Sequence, residues 1–191
     1  ANGIKNGYEY YEDFFNTVWP YYIEQYFKDP RYLKVNGRPV FGVYAVSNLL
    51  NVFDDGRGKS AVIEGVNRMR QMCIDAGVGD PYLVSNDNNY AQLQNVASVG
   101  FDAVSSYGFG YDATFTTQKT IMENILQECK KAGIDFIPSP VPMRDDTAWR
   151  VGSGYWHTEE EFADYKEYLK ENCIYSHDLD SLSYDDTIEY I

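Results

Sequence analysis

YFKDPRYLKVNGRPVFGVY, residues 26–44, is the stretch on which the fold turns. Asp29-Pro30 ends the preceding helix, because proline offers no backbone N–H and biases its predecessor toward extended backbone. Asn36-Gly37 marks a tight turn, and Pro39 opens an apolar run to Val46 that alternates too little for a half-exposed strand. Such a run belongs to a central strand of a parallel sheet.

Downstream, a helical pattern ends three times in a glycine followed at once by a short apolar segment. These are Ala76-Gly77 before Tyr82 to Ser85, Val99-Gly100 before Phe101 to Ser106, and Ala132-Gly133 before Ile134 to Pro138. Glycine just past a helix accepts the left-handed conformation that closes the last turn, so each is a helix-to-strand junction. The helix before Gly77 carries Val62, Ile63, Val66, Met69, Cys73 and Ala76 on one stripe, with Arg68, Arg70 and Asp75 elsewhere and Ser60 as its N-cap. The helix before Gly133 carries Ile121, Ile125, Leu126 and Cys129 inside and Lys119, Glu123, Lys130 and Lys131 outside.

With Pro39 to Val46 as the first strand, four strands are joined by crossovers of helix length, the pattern of a parallel α/β sheet. The fold class is α/β: a partial (β/α) TIM-type barrel of about four parallel strands with outer helices, where a complete barrel has eight strands and roughly 250 residues. A helix from Tyr8 to Phe27 opens the chain, and one from Thr158 to Asn172 closes it with a Thr158/Glu161 capping box. The acidic tail 173–191 is either weakly ordered or the start of another unit. No linker-like composition divides the sequence, so residues 1–191 read as a single domain, the central portion of a barrel.

The chain has 191 residues, 44% hydrophobic and 24% charged, which suits a packed core rather than disorder. Its net charge of −13, from 29 acidic against 16 basic side chains, repels a phosphate backbone and excludes nucleic acid as an expected partner. No apolar run is long enough to span a bilayer, and no retained signal peptide is visible at the start. Cys73, Cys129 and Cys173 stand singly in helical patterns, without the pairing of a zinc or redox site, and read as buried thiols. They leave the compartment open. Aromatic content is high, with 18 Tyr, 10 Phe and 3 Trp; tyrosine beside asparagine and aspartate suits a sugar-handling surface, and equally a core with hydroxyls at its rim.

In parallel α/β sheets the chemistry sits at the carboxyl ends of the strands. Here those ends are polar in every case: Tyr44 to Asn48, Ser85 to Tyr90, Ser105 to Tyr111, and Ser139 to Arg150. Together they supply amides, carboxylates, hydroxyls and aromatic faces, the inventory that a pyranose needs. Asp87 and its neighbouring asparagines fit equally well an Asx turn capping the helix from Asn89 onward. Ser105 and Ser106 read as small packing residues, because no glycine-flanked elbow and no placed histidine accompany them. Tyr107-Gly108-Phe109-Gly110-Tyr111 lacks the lysine and the helix start of a phosphate loop. His157 and His177 lack coordination spacing, so no metal and no cofactor is expected.

Two further segments carry a resemblance along with residues 26–41. MRDDTAWR, residues 143–150, is similar to a glycine-tryptophan-aspartate-asparagine-threonine-proline-arginine loop. It differs by arginine for the tryptophan, aspartate for the asparagine, alanine for the proline and one inserted residue before Arg150. FDAVSSY, residues 101–107, is similar to a third strand of the same barrel. From about Tyr22 to Arg150 the chain resembles the glycoside hydrolase family 99-like and WbsX-type glycosyltransferase proteins. The resemblance implies an internal segment of a longer protein that acts on glycans. In the hydrolase branch two carboxylates cleave an α-mannosidic linkage without a metal, and the WbsX-type branch is associated with polysaccharide assembly. The family's catalytic glutamates lie in an asparagine-glutamate-tryptophan stretch followed by glutamate-glycine, which this sequence lacks, so catalytic residues stay unassigned.

The expected substrate-side groups are Asn86, Asp87, Tyr107, Asp145, Asp146 and Arg150, with Trp149 and Trp156 as stacking platforms. The expected partners are an oligosaccharide or polysaccharide and the rest of a parent chain, or a second copy, to complete the barrel. A secreted or cell-surface setting is slightly favoured over a cytoplasmic one. A rival reading is a non-catalytic carbohydrate-binding or structural module. Another is an unrelated enzyme using Asp145 and Asp146 as acid and base, which requires the loop to turn between two adjacent residues that would otherwise face opposite ways.

Overall fold

The computed structural model describes residues 7–53, 57–86, 90–105, 115–138, 143–145, 154–156 and 158–172. Helical structure begins with α1 (Gly7–Asp13) and continues without a break through a π turn (Phe14–Val18), α2 (Trp19–Tyr22) and a second π turn (Ile23–Phe27). Phe15, Trp19, Ile23 and Phe27 recur at every fourth residue and are all buried. In a straight α-helix that spacing drifts by about 40° per step, and the wider π turns take up the drift. Pro20 accounts for the first of them: it cannot donate to Asn16, and the widened turn spares that carbonyl a clash with its ring, while the Trp19 N–H bonds back to Phe14 instead. Trp19 pins the segment to the rest of the fold. Its indole N–H donates to the Met69 carbonyl at 3.0 Å, and its ring lies edge-on to Phe41 at 4.8 Å.

Asn36 and Gly37, both at positive φ (51° and 80°), form the tight turn expected there. The turn joins a strand not foreseen, β1 (Lys34–Val35), to β2 (Arg38–Val43), the two being antiparallel. The chain then runs through α3 (Val46–Phe53), α4 (Lys59–Asp75), β3 (Tyr82–Ser85), α5 (Tyr90–Ser98), β4 (Ala103–Val104), α6 (Phe115–Ala132) and β5 (Asp135–Phe136). Strands β2 to β5 are parallel, in sequential order, with helical crossovers. This is the expected partial (β/α) barrel of four parallel strands, with one short antiparallel strand at its edge. A separate hairpin pairs β6 (Met143–Asp145) with β7 (Gly154–Trp156), and α7 (Glu159–Asn172) closes the described part of the chain. The residues after Asn172 lie outside the described residues.

The helix-to-strand junctions at Gly77, Gly100 and Gly133 share one construction. Each glycine has positive φ, and the residue after it donates back across the last turn: Val78 to Cys73 at 3.1 Å, Phe101 to Val96 at 3.3 Å, Ile134 to Cys129 at 3.1 Å. Each glycine N–H also reaches the carbonyl three residues before it, which completes the Schellman pattern. The capping box on α7 forms as well: Glu161 N–H donates to Thr158 Oγ1 at 3.2 Å, and Thr158 N–H to Glu161 Oε2 at 3.0 Å.

Some sequence expectations are corrected. The first strand stops at Val43, because Val46, Leu49 and Phe53 sit at helical spacing and are buried as the inner stripe of α3. The strands buried along their whole length are β3 and β4; β2 is only partly buried, since β1 covers just its first two residues. Gly58, not Ser60, is the N-cap of α4, and it offers no side-chain cap. Ile63 lies at the exposed edge of its stripe, and Arg70 turns inward. Gly65, buried on α4, gives the Phe53 ring room: an added Cβ would lie 2.7 Å from the ring's Cε2.

The main core fills the space between the helices and the sheet, where Phe41, Val43, Leu83, Val104 and Phe136 meet Val66, Met69, Leu93, Val96, Met122 and Ile125. Cys73 and Cys129 are in it, as free thiols, as expected; Cys173 lies outside the described residues. Burial pushes their thiols up, to about 12 and about 11 respectively. A thiol raised in the folded state favours folding while protonated. Its contribution is therefore whole below the unfolded thiol's ordinary range near pH 9 and is lost as pH climbs toward 11 and 12. Native protein at pH 8 is accordingly expected to leave both thiols unreacted with iodoacetamide, and urea-unfolded protein to label fully. Rapid native labelling of either, read by mass spectrometry, would contradict their burial.

Candidate functional site

The two ends of the sheet differ chemically. Where the strands begin, Arg38 of β2 and Arg70 of α4 interlock with Asp80 and Asp102, the residues just ahead of β3 and β4. Arg38 Nη2 donates to Asp102 Oδ1 at 2.7 Å and to Asp80 Oδ2 at 3.0 Å. Arg70 donates to Asp102 Oδ2 at 2.7 Å and to Asp80 Oδ1 at 2.6 Å. Asp102 also accepts the Leu83 backbone N–H at 2.8 Å, and Tyr82 donates its hydroxyl to Asp135 at 2.6 Å. Every one of these carboxylates is engaged by groups of the protein itself, so this end is a clasp holding β2 to β5 in register. Helical periodicity alone puts Arg70 outside; its partners come from two later loops.

Where the strands end, the parallel ladder sets a row. Val43 pairs with Ser85 and Ser85 with Val104, so the next residues, Tyr44, Asn86 and Ser105, stand side by side one step past the strands. The ladder bonds reach into that row: Asn86 N–H donates to the Val43 carbonyl at 3.0 Å and Ser105 N–H to the Ser85 carbonyl at 2.7 Å. Alternation places the row on the face of Gly42, Val84 and Ala103, away from the helices. Gly42 and Ala103 are small, and no described residue comes within 4 Å of where a Cβ on Gly42 would stand. Tyr44 is 67% exposed, while Asn86 and Ser105 are half-buried.

Of the expected substrate-side residues, Asn86 stands in this row. Asp145 ends β6 opposite Gly154, and Trp156 ends β7 opposite Met143, so one hairpin carries both. By sequence, residues 143–150 read as loop; the first three are strand, because a partner segment lies within reach at Gly154 to Trp156. Asp87, Tyr107, Asp146, Trp149 and Arg150 lie outside the described residues, as does His157. Tyr44 and Ser105 were not among the expected groups. The alternation Phe41, Val43 inward to the helices was the signal that Tyr44 faces the other way, but only strand register sets it beside Asn86. Among the described residues no group of three or more His, Cys, Asp or Glu is arranged to hold a metal. No helix among them is long and apolar enough to cross a membrane.

A partial (β/α) barrel with a charged clasp at the strand starts and a polar row at the strand ends belongs to the (β/α)-barrel class of folds, in which function sits at the carboxyl-terminal rim and the opposite end carries stability. The profile of the family Glycosyltransferase WbsX matches residues 7–184, nearly the whole chain, and the chain belongs to that family. Among solved structures it is similar to the GH99 endo-alpha-mannosidase from Bacteroides thetaiotaomicron, with a TM-score of 0.54 and 17% identity. The likeness covers 82% of this chain and 45% of that one, so the chain spans less than half the length of that enzyme. At this identity the likeness is one of fold. No curated protein matches the chain.

Proposed function

We propose that this chain is part of a glycan-acting barrel that takes its sugar at the carboxyl-terminal rim, in a protein that hydrolyses α-mannosidic or related linkages. The observation that carries the reading is the WbsX family match across residues 7–184. The row Tyr44, Asn86 and Ser105 supports it, offering a ring face, an amide and a hydroxyl in line, about 5 Å apart from strand to strand. Asp87, Tyr107, Asp145, Asp146, Trp149, Arg150 and Trp156 remain the proposed companions of Asn86. The α-mannosidic bond is suggested by the fold neighbour, and the family's own description as a glycosyltransferase favours sugar transfer as the second reading.

The test is titration of the purified chain with α-linked manno-oligosaccharides, with product analysis alongside. Asn86→Ala is expected to weaken binding about tenfold, since it removes a donor and an acceptor from a partly dry site. Asp145→Asn and Asp146→Asn are expected to weaken it too, because an amide only partly replaces a carboxylate accepting two hydroxyls. No turnover is expected from this chain, which lacks the family's glutamate stretch. Equal affinity in all three variants would remove the rim from the reading.

Among the described residues nothing pairs with the last part of β2 on its outer side, and we propose that another strand, from a longer chain or a second copy, pairs there. Val43 turns its carbonyl to Asn86, just past β3, so by alternation Gly42 turns its N–H and carbonyl to the other side, where β1 has already ended at its pairing with Pro39. Hydrogen exchange at the Gly42 amide is expected to slow about a hundredfold when that strand is present. Equal exchange in this chain and in any longer or dimeric form would refute the added strand.

A further inference from the structure

At the end of the molecule where the strands begin, the segment Tyr21–Tyr32 carries aromatic surface that the core does not use. Ile23 and Phe27 fill the core side of this helix end. On the other side Tyr21 and Tyr26 remain 56% and 42% exposed, their rings edge to face at 5.9 Å. Tyr22 and Tyr32 flank Tyr26 at 5.4 Å and 6.3 Å, giving four tyrosines in one belt. Tyr32 is fixed by its own hydroxyl, which donates to the Val40 carbonyl at 2.8 Å. The neighbouring Tyr21 phenol raises the Tyr26 phenol above its ordinary range.

Beside this belt is a groove of about 250 Å³ lined by Tyr26, Asp29, Arg31 and Tyr32. Its polar wall is already formed. Arg31 grips Asp29 with Nε at 3.0 Å and Nη2 at 2.6 Å, and its backbone N–H reaches the same carboxylate at 2.9 Å. Those bonds hold the Asp29 carboxyl down to about 2, so it is ionised at neutral pH, in a surface pair whose Arg31 side chain is 88% exposed.

We propose that this groove is a second carbohydrate-binding site, distinct from the rim, which takes one neutral pyranose unit of a polysaccharide. A tyrosine face offers an apolar platform to the C–H face of a sugar ring, and a carboxylate–guanidinium pair presents acceptors and donors side by side, as vicinal hydroxyls require. Arg31 is neutralised within the site by Asp29, which argues for an uncharged ligand over a phosphate or a sugar acid, and the chain's net charge of −13 argues the same way. The volume is below the roughly 300–1,000 Å³ of pockets that enclose drug-sized molecules, so a single ring fits better than a longer ligand. Tyr32 is tied to Val40, four residues before Tyr44, so the groove lies at least on the order of 13 Å from the rim along β2, a span that a glycan of several sugars can bridge. The site would then hold a polymer while its reacting segment lies at the rim; only the choice of mannan below rests on the proposed function.

The test is affinity electrophoresis of the full chain through gels containing soluble α-mannan, with glucan and galactan gels alongside. The Tyr21→Ala/Tyr26→Ala double variant is expected to bind about tenfold more weakly at an unchanged Tm, since both rings are on the surface. Asn86→Ala is expected to keep the groove-dependent part of the retardation, and Tyr26→Phe most of it. A folded double variant retarded as strongly as the unsubstituted protein overturns the groove and leaves the rim untouched. Loss of all retardation in Asn86→Ala alone also overturns it, by placing all binding at the rim. Retardation by glucan or galactan but not by mannan, lost in the double variant, supports the groove while removing the mannose assignment.

Discussion

Asp102→Ala is expected to lower unfolding free energy by about 3 kcal/mol, out of a total of roughly 5–15 for a protein of this kind. The carboxylate is bound by Arg38, Arg70 and the Leu83 N–H, all within 2.8 Å, and the side chains of Asp102 and Arg70 are only 19% and 18% exposed. Removing it leaves two guanidinium groups short of an acceptor and a strand N–H without its partner. Asp80, which both arginines also touch, holds the loss at the low end of the range for breaking a buried pair. Asp102→Asn should cost less, because one amide oxygen can still accept the Leu83 N–H. The measurement is the urea midpoint by circular dichroism. Sugar binding at the rim, per folded molecule, should not change, since the clasp and the rim lie at opposite strand ends. An unchanged midpoint would mean that the four charged groups are solvated individually and do not act as a clasp.

Trp19→Ala is expected to cost about 4 kcal/mol, a larger loss than that of Asp102→Ala. The indole is fully buried and contacts the rings of Phe14, Tyr22, Phe27 and Phe41, and its N–H reaches Met69 on α4. It thus joins the first helical segment, β2 and α4, which are far apart in the chain. Alanine leaves a cavity that the surrounding rings cannot fill without leaving their rotamers. Trp19→Phe retains most of the volume and loses the hydrogen bond, for an expected cost of about 1–2 kcal/mol. If the alanine variant unfolds at the same denaturant concentration as the unsubstituted protein, the first helical segment is not part of the cooperative core.

The three helix–glycine–strand junctions were legible because a Schellman turn is a local object: the donor, acceptor and left-handed glycine all lie within six residues. The capping box of α7 and the Asn36-Gly37 turn were legible for the same reason. Strand limits were less so. Val40 to Val46 is apolar throughout, and nothing in that run says that Val46 begins a helix; the burial of Leu49 and Phe53 beside it does. Residues 143–145 read as loop because a short strand exists only when a partner is present, and Gly154 to Trp156 comes from further along the chain.

The site shows the same division. Polar residues after each strand could be read off directly, and Asn86 was found that way. Tyr44 and Ser105 joined it only through register, since a slip of one residue would send each to the other face. Sequence by itself determined the glycine-ended helices, the closing helix, the Asn36-Gly37 turn, the parallel grammar and the family, because periodicity, glycine placement and motif spacing act over a few residues; α3 was not among them. Tertiary structure alone decided that Arg70 turns inward to Asp80 and Asp102, that the first helix needs π turns to keep Phe15, Trp19, Ile23 and Phe27 in line, and that Tyr44, Asn86 and Ser105 share a row. Each of those depends on a partner that the chain brings near only by folding, and contact energy, unlike propensity, is not carried by any one segment.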